Sequence, residues 1–289
     1  MRNIFLILNT CIFSKFKADW YFNFLFFINC IRHKRPYYLL NLKNPKTFNE
    51  KINFLKEFNI TEKSKFADKL VLKNLIKIDE LNFPKTFFIF SNPMELKHFN
   101  FKSDLLENGF VIKSNHGSGM NVIFQKGEFP SDHQISRIMQ WFTFPSHLNS
   151  REEHYNHINK KVFIEELLES NIKDYKIHSF HGIPQFIQID SDRFSVHKRD
   201  VYTISWNILN FEYVYSKNKY HTEKPELLNK LLTFTDELNK LLNEPYIRYD
   251  FYLCGNRIYL GEITFHPEGG VGPFDSYESD KYFGSFLKV

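Results

Sequence analysis

The stretch Ile247–Gly270, reading IRYDFYLCGNRIYLGEITFHPEGG, constrains the fold more than any other. It reads as two antiparallel strands, Ile247–Leu253 and Arg257–Phe265, around a Cys254-Gly255-Asn256 turn. Alternate side chains of a strand share a face. Arg248, Asp250 and Tyr252 therefore point one way, and Phe251 and Leu253 the other. Glu262 and Thr264 form a matching pair on the second strand. One face then presents an arginine, two carboxylates and a hydroxyl. Two facing carboxylates repel by roughly 4 kcal/mol at about 4 Å with an effective dielectric near 20. A divalent cation removes that cost, and hard oxygen ligands select magnesium. An ordinary amphipathic hairpin, its acids paired with Arg248 and Arg257, explains the same residues.

A chain of 289 residues holds one large domain or two small ones. Its 33 Phe and 15 Tyr are unusual. Beside abundant Lys, Asn and Ile they reflect AT-rich coding rather than a base-stacking platform. A net charge of +5, spread along the chain, suits a polyanionic substrate or a membrane surface and does not demand nucleic acid. Cys11, Cys30 and Cys254 are far apart and form neither a metal pattern nor a disulfide framework, which fits a reducing cytoplasm. The apolar runs Asn3–Phe13 and Trp20–Ile31 are separated by Lys15, Lys17 and Asp19. Neither approaches the ~18 apolar residues of a spanning helix, and no small-residue cleavage site follows. They read as one or two helices packed on the body. Arg32, His33, Lys34 and Arg35 leave open a helix lying on a membrane surface.

Further along, Thr47 and Glu50 have capping-box spacing, predicting a helix over Phe48–Glu57 that buries Ile52, Leu55 and Phe58. Leu72, Leu75 and Ile76 keep helical spacing, with Asp68 at the helix start. Pro84–Phe90 reads as a strand, Met94–Leu106 as a helix and Ser131–Phe142 as another. Phe110–Ile123 reads as a hairpin around Asn115-His116-Gly117-Ser118-Gly119, so it is no P-loop, but its backbone N–H groups can cradle phosphate. The His- and Asn-rich stretch from Ser146 to Lys160 is expected to be exposed. Val162–Leu168 reads as a buried strand opening into a loop. Asp174–Phe180 and Pro184–Asp190 read as a hairpin, followed by the basic cluster His197, Lys198 and Arg199, and Trp206 as core. Pro225–Leu242 is an amphipathic helix burying Leu228, Leu231, Leu232, Leu238 and Leu242. Helices first, then mixed elements, then hairpins describe an α+β chain.

Together these pieces resemble the ATP-grasp superfamily, and within it the TupA-like branch associated with bacterial surface polysaccharide loci. The resemblance runs from about Leu42 to Gly284. It is carried by NPKTFNEK (Asn44–Lys51), ADK (Ala67–Lys69), FVIKSNHGSG (Phe110–Gly119), FIEELL (Phe163–Leu168), DYKIHSFHG (Asp174–Gly182), RYDFY (Arg248–Tyr252) and GEITFHPEGG (Gly261–Gly270). It implies an α+β ATP-grasp fold with ATP between two α+β subdomains, preceded by a helical N-terminal region. The boundaries are 1–66 for that region, 67–164 for the small subdomain with the glycine loop, and 165–289 for the subdomain with the metal site. It implies that Lys69 approaches the ATP phosphates and that Lys113 bridges adenine and phosphate. His116, Gly117, Ser118 and Gly119 would close over the phosphates. Glu165, Glu166 and Leu168 would follow the adenine edge, largely through backbone groups. Asp174 falls near the ribose-binding acid, with Lys176 as a further ribose or phosphate contact. Asp250 and Glu262 match the paired magnesium carboxylates, and Arg248 would stabilise charge on the reacting group. Thr264 stands where the superfamily commonly has an asparagine ligand, which leaves a second metal in doubt.

The expected activity is ATP-dependent carboxylate–amine ligation through an acylphosphate. A uronic-acid-like sugar or an amino acid would serve as substrate, and the product would be a surface polysaccharide decorated with an amino acid. ATP and Mg2+ are the expected cofactors, and the expected site of action is the cytoplasm, either free or at the inner membrane face. The same ATP site would serve a sugar kinase. A glycosyltransferase would need a DxD motif, which Asp190-Ser191-Asp192 matches only formally. A non-catalytic nucleotide-binding module would not need both acids, Arg248 and both lysines.

Overall fold

The computed structural model describes residues 19–145, 150–169, 172–191 and 196–289. The expectations for Asn3–Phe13 and Asp192 lie outside these residues. Helix α1, Asp19–His33, packs Phe26 and Cys30 against Leu40 and Val271. Among the described residues no helix is long and apolar enough to cross a membrane. Helix α2, Phe48–Leu55, starts on the expected capping box: Thr47 Oγ1 accepts from Glu50 N, and Glu50 Oε2 accepts from Thr47 N at 2.8 Å. Phe48, Ile52 and Leu55 are buried, whereas Phe58 is exposed because the helix ends before it. Helix α3, Ile60–Ala67, was not anticipated. Helix α4, Lys69–Leu75, begins on Asp68, whose carboxylate accepts from Leu70 N and Val71 N. Leu72 and Ile76 are buried but Leu75 is exposed.

The short strand β1, Leu81–Asn82, precedes β2, Thr86–Phe90, and helix α5, Pro93–Lys97. The single helix expected over Met94–Leu106 is replaced by α5 and a 3-10 turn at Asp104–Leu106. The chain leaves the helix so that Phe99 can reach Phe88 at 4.6 Å between ring centroids and Phe101 can stack on Phe110. Strands β3, Phe110–Ser114, and β4, Asn121–Phe124, form the glycine hairpin. Helix α6, Asp132–Met139, follows, then β5, Val162–Glu166. Strands β2-β5-β3-β4 make a four-stranded antiparallel sheet.

Strands β6 (Asp174–Phe180), β7 (Ile183–Ser191) and β8 (Lys198–Thr203) form a second sheet with β9 (Tyr246–Cys254) and β10 (Arg257–Thr264). Its order is β1-β10-β9-β6-β7-β8, parallel only between β1 and β10. Helix α7, Leu228–Leu241, lays Leu228, Leu231, Phe234 and Leu238 on one face of it, against Tyr175, Ile177, Ile187, Tyr249, Phe251 and Leu260. Leu232, Leu242 and Trp206 join the same core. Helix α8, Tyr277–Gly284, packs Phe283 with Phe48, Phe180, Phe186 and Tyr246 at one end of the opposite face. The rest of that face is polar, and it carries the candidate site.

The segment expected to be exposed between Ser146 and Lys160 behaves otherwise where it is described. Glu152, His154, Tyr155 and Ile158 are buried, because the 3-10 helix Glu153–His157 packs against α3. Polar composition misled here: the side chains are covered by an element distant in sequence.

Candidate active site

Three lateral rows of side chains cross the polar face of the six-stranded sheet. The middle row is Glu262, Asp250, Lys176 and Gln188, on β10, β9, β6 and β7. On one side lie Tyr252, Asp174, Asp190 and Arg199, and on the other Thr264, Arg248 and His178. One irregularity makes this arrangement possible. Strict alternation from the Gly255–Asn256 turn would place Glu262 opposite Tyr249, on the apolar face. The register slips between Leu260 and Glu262, so Gly261 is an extra residue and Glu262 pairs with Asp250, Thr264 with Arg248. The core positions Ile258, Leu260, Ile263 and Phe265 record the same slip, stepping by two, three and two. Glycine is needed at the bulge, since a Cβ there would meet Tyr252 Cε2 at 2.4 Å.

The acids on this face are neutralised by buried bases. Arg248 Nε and Nη2 donate to the two oxygens of Asp250 at 2.7 and 2.8 Å, and Lys176 Nζ donates to Asp250 Oδ2 at 2.6 Å. Lys176 also reaches Asp174 at 2.5 Å, and Arg248 reaches Thr264 Oγ1 at 3.1 Å. Burial alone would raise the Asp250 carboxyl, but Arg248 and Lys176 hold it below the usual carboxylate range. Lys176 is raised in turn: its burial is outweighed by Asp174 and Asp250. Arg199 is held by Asp190 at 2.6 Å and by Glu268 at 2.8 Å, over the rings of Tyr213 and Tyr215. Charges buried this deeply persist only when each finds a partner.

Glu262 is the more open acid of the middle row, and Lys69 Nζ approaches it at 3.3 Å. The same ammonium donates to the Gly117 carbonyl at 3.1 Å, so Lys69 ties the glycine hairpin to the carboxylate pair. Asn115 fixes the hairpin further. Its Nδ2 donates to Asp68 Oδ2 at 3.0 Å, its Oδ1 accepts from Lys161 N at 2.7 Å, and its carbonyl accepts from Lys69 N. Gly117 and Gly119 both have φ of 71°, a conformation open to glycine. His116 is buried beneath the tip with Nδ1 2.6 Å from Ser114 Oγ, and burial with Lys160 and Lys69 lowers its pKa to about 4. Ser118 and Gly119 are exposed.

A cleft of about 910 Å³ lies between hairpin and sheet face. Of the sequence-predicted site residues it gathers Gly117, Ser118, Gly119, Asp174, Lys176, Arg248, Asp250, Glu262 and Thr264. Lys113 lies beside it, its ammonium paired with Glu165 and 5.8 Å from the ring centroid of Tyr252, which lines the cleft. Burial pulls the Lys113 pKa down, but Glu165, Tyr252 and Glu262 together raise it above the usual lysine value. Glu165 is shared with Lys73 at 3.0 Å, and its backbone lies in β5 between β2 and β3. Glu166 and Leu168 do not line the cleft; Glu166 instead accepts from Lys85 N at 2.7 Å. Of the basic cluster, Arg199 and His197 line the cleft, with His197 stacked 3.6 Å over Tyr215, while Lys198 turns to Ser216. Asp190, the first acid of the DxD-like triplet, is taken up by Arg199 and Gln188.

Several residues here escaped the sequence reading. Glu152 and Glu268 line the cleft, as do Tyr21, Leu25, Ile28, Asn29 and Arg32 from one side of α1. The α1 positions recur at helical spacing, a signal that was available. Glu152 had no local signal at all.

An antiparallel sheet with a carboxylate pair on its polar face, covered by a glycine hairpin from a second sheet, defines a nucleotide-cleft architecture of the ATP-grasp kind. The chain belongs to the TupA-like ATPgrasp family, whose sequence profile matches residues 49–288. No curated protein matches it. Among solved structures it is similar to the D-alanine–D-alanine ligase from Bacillus anthracis complexed with ATP, at 18% identity and a TM-score of 0.44, covering 72% of this chain and 56% of that one. It is also similar to the L-amino acid ligase from Bacillus licheniformis, at 12% identity and a TM-score of 0.45, covering 73% and 46%. The ATP-grasp ligase PsnB complexed with a minimal precursor follows at 9% identity and a TM-score of 0.39, covering 79% and 58%. This chain therefore spans less than two thirds of the length of each of the three.

Proposed function

We propose that the protein is an ATP-dependent carboxylate–amine ligase that works through an acylphosphate, joining an amino acid to a uronic-acid-bearing surface polysaccharide or its precursor. The observation that carries this reading is the register pair Asp250–Glu262, facing the cleft with Arg248 beside it and Lys69 linking it to the glycine hairpin. Family membership supports the nucleotide. The chemistry of the donors supports magnesium, since both acids offer hard oxygens to the same cleft. Glu262 is the readier ligand. Asp250 already accepts three hydrogen bonds, so it offers one remaining lone pair, or more once Lys176 turns to Asp174. Thr264 Oγ1, engaged by Arg248, is a weaker third donor.

Bound ATP would supply the phosphoryl group that activates the carboxylate. The chain's own part is positioning and charge neutralisation. Gly117, Ser118 and Gly119 present backbone N–H groups toward the phosphates, and Lys69 adds a positive charge at their edge. Lys113 stands at the adenine side, next to the cleft-lining Tyr252, with Asp174 and Lys176 near the ribose. Arg248, held rigid by Asp250 and Thr264, aims a delocalised cation at the charge that develops during transfer. Action in the cytoplasm, at the inner membrane face, follows from the substrate class rather than from any residue.

The test is ADP release by purified protein with magnesium and ATP, screened against amino acids and uronic acids. Release that needs both an amine and a carboxylate supports the ligase. Release with a sugar alone, yielding a phosphosugar, replaces it with the kinase of the same fold.

A further inference from the structure

Two buried histidines have no role in the cleft chemistry described above. His154 lies in the 3-10 helix Glu153–His157, and His266 follows β10; each is 2% exposed. Their ring centroids are 5.0 Å apart, with planes inclined at 58°. His154 Nδ1 and both ring nitrogens of His266 have no hydrogen-bond partner among the described residues. The Leu55 carbonyl, which accepts from Lys63 Nζ at 2.8 Å, faces the His266 ring without meeting hydrogen-bond geometry. Buried polar nitrogens left in this way cost free energy unless something fills the gap. Glu152 adjoins them. It accepts from Ser150 Oγ, and its Oε1 lies 3.9 Å from His266 Nδ1. One ligand atom from each of Glu152, His154 and His266 lies within 4.8 Å of the other two.

We propose that Glu152, His154 and His266 form a binding site for a first-row transition ion of the zinc class, separate from the Asp250–Glu262 pair. Zinc takes imidazole nitrogen and carboxylate oxygen at about 2.0–2.2 Å, so small side-chain rotations must close this set around the ion. Two imidazoles with one carboxylate favour zinc, cobalt or nickel over magnesium. Both imidazoles must be neutral to ligate. Burial keeps them so, assisted by Lys56 and Lys63, which face both rings, and by Lys69 toward His154. Those lysines also oppose a dication, and the Glu152 carboxylate, with Glu262 and Glu268 nearby, offsets them. Three protein ligands leave a fourth position for water from the cleft that Glu152 and His266 both line. The ion would pin the Glu152–Tyr155 segment to the turn after β10, where Glu268, Gly269 and Gly270 are all left-handed.

The test uses the full chain, stripped with chelator and titrated with Zn2+ alone, then with Co2+ for its visible spectrum. One equivalent should bind, with an intense four-coordinate Co2+ band and a raised unfolding temperature. His154→Gln and His266→Gln should each weaken binding on the order of a hundredfold, the upper end of what losing an outer-shell partner costs. Glu262→Gln, which removes a nearby charge but no ligand, should weaken it far less. The proposal is overturned by absence of saturable binding at micromolar metal, by binding that survives both histidine variants, or by binding lost in Glu262→Gln. Should the histidine variants fail to fold, the wild-type spectrum decides: a weak six-coordinate band overturns the site.

Discussion

Glu262 and Asp250 face the same cleft but are not equivalent. Glu262 is ion-paired only with Lys69 among the described residues, so Glu262→Gln should abolish ADP release while leaving the chemical unfolding curve close to wild type. Asp250 sits against Arg248 and Lys176, both buried. Asp250→Asn should abolish turnover and also cost about 3–5 kcal/mol of stability in urea unfolding, because buried Arg248 loses its charged partner and Lys176 one of its two. Near-wild-type ADP release in both variants would remove the metal assignment. Gly261 tests the bulge itself. In Gly261→Ala the new methyl meets the Tyr252 ring, so stability should fall by about 1–3 kcal/mol. Turnover should fall with it, since Glu262 shifts relative to Asp250. Unchanged kinetics in this variant would mean that the bulge does not set the carboxylate geometry.

At the scale of elements, the glycine hairpin is held by the start of α4. Lys69 N and Nζ both bond to hairpin carbonyls, and Asp68 takes Asn115. Lys69→Met removes the charge-assisted hydrogen bond proposed from Lys69 to a phosphate, worth about 1.5–3 kcal/mol, so KM for ATP should rise about tenfold or more. Steady-state kinetics with a parallel melting curve would separate this from unfolding, since the melt should move little. Thr47→Ala removes the α2 cap and should cost about 1 kcal/mol without touching turnover. The elements themselves were legible where local chemistry decides them: the capping box at Thr47, the N-cap at Asp68, and the two hairpins around Gly182 and Gly255. They were illegible where packing decides. The Met94–Leu106 helix gives way to the Phe99 and Phe101 contacts, and the polar stretch around His154 is buried by α3.

For the whole molecule, the buried histidines set how stability depends on pH. His178 is fully buried, accepting from Tyr246 OH at Nδ1, 2.7 Å away, and paired at Nε2 with Gln188 at 3.1 Å. Burial and then Arg248 lower its pKa to about 3. A pKa below the unfolded value means that the unfolded chain binds the proton first. The stability is thus complete above about pH 6.5 and is lost as pH falls toward 3, by about 1.4 kcal/mol per unit for each such group. His116, His154 and His266 shift in the same direction, while burial raises Glu152 and Asp280 and so works in the opposite sense. Four groups outweigh two, so urea midpoints should fall steadily between pH 6.5 and 4.5. His178→Gln should flatten that slope by one proton, and an unchanged slope would show that His178 titrates normally.

Local sequence by itself determined most of the strands, the tight turns and the caps, because hydrophobic period, glycine turns and side-chain capping act over a few residues; β1 and β8 were not among them. The order of motifs then placed the chain in its family. Only the tertiary structure decided which face Glu262 occupies, since a one-residue bulge at Gly261 reverses it. It also decided what neutralises Asp250, and that Glu152, His154 and His266 meet. Those outcomes depend on groups brought together from more than a hundred residues apart, as Glu152 and His266 are, where no local spacing carries the signal.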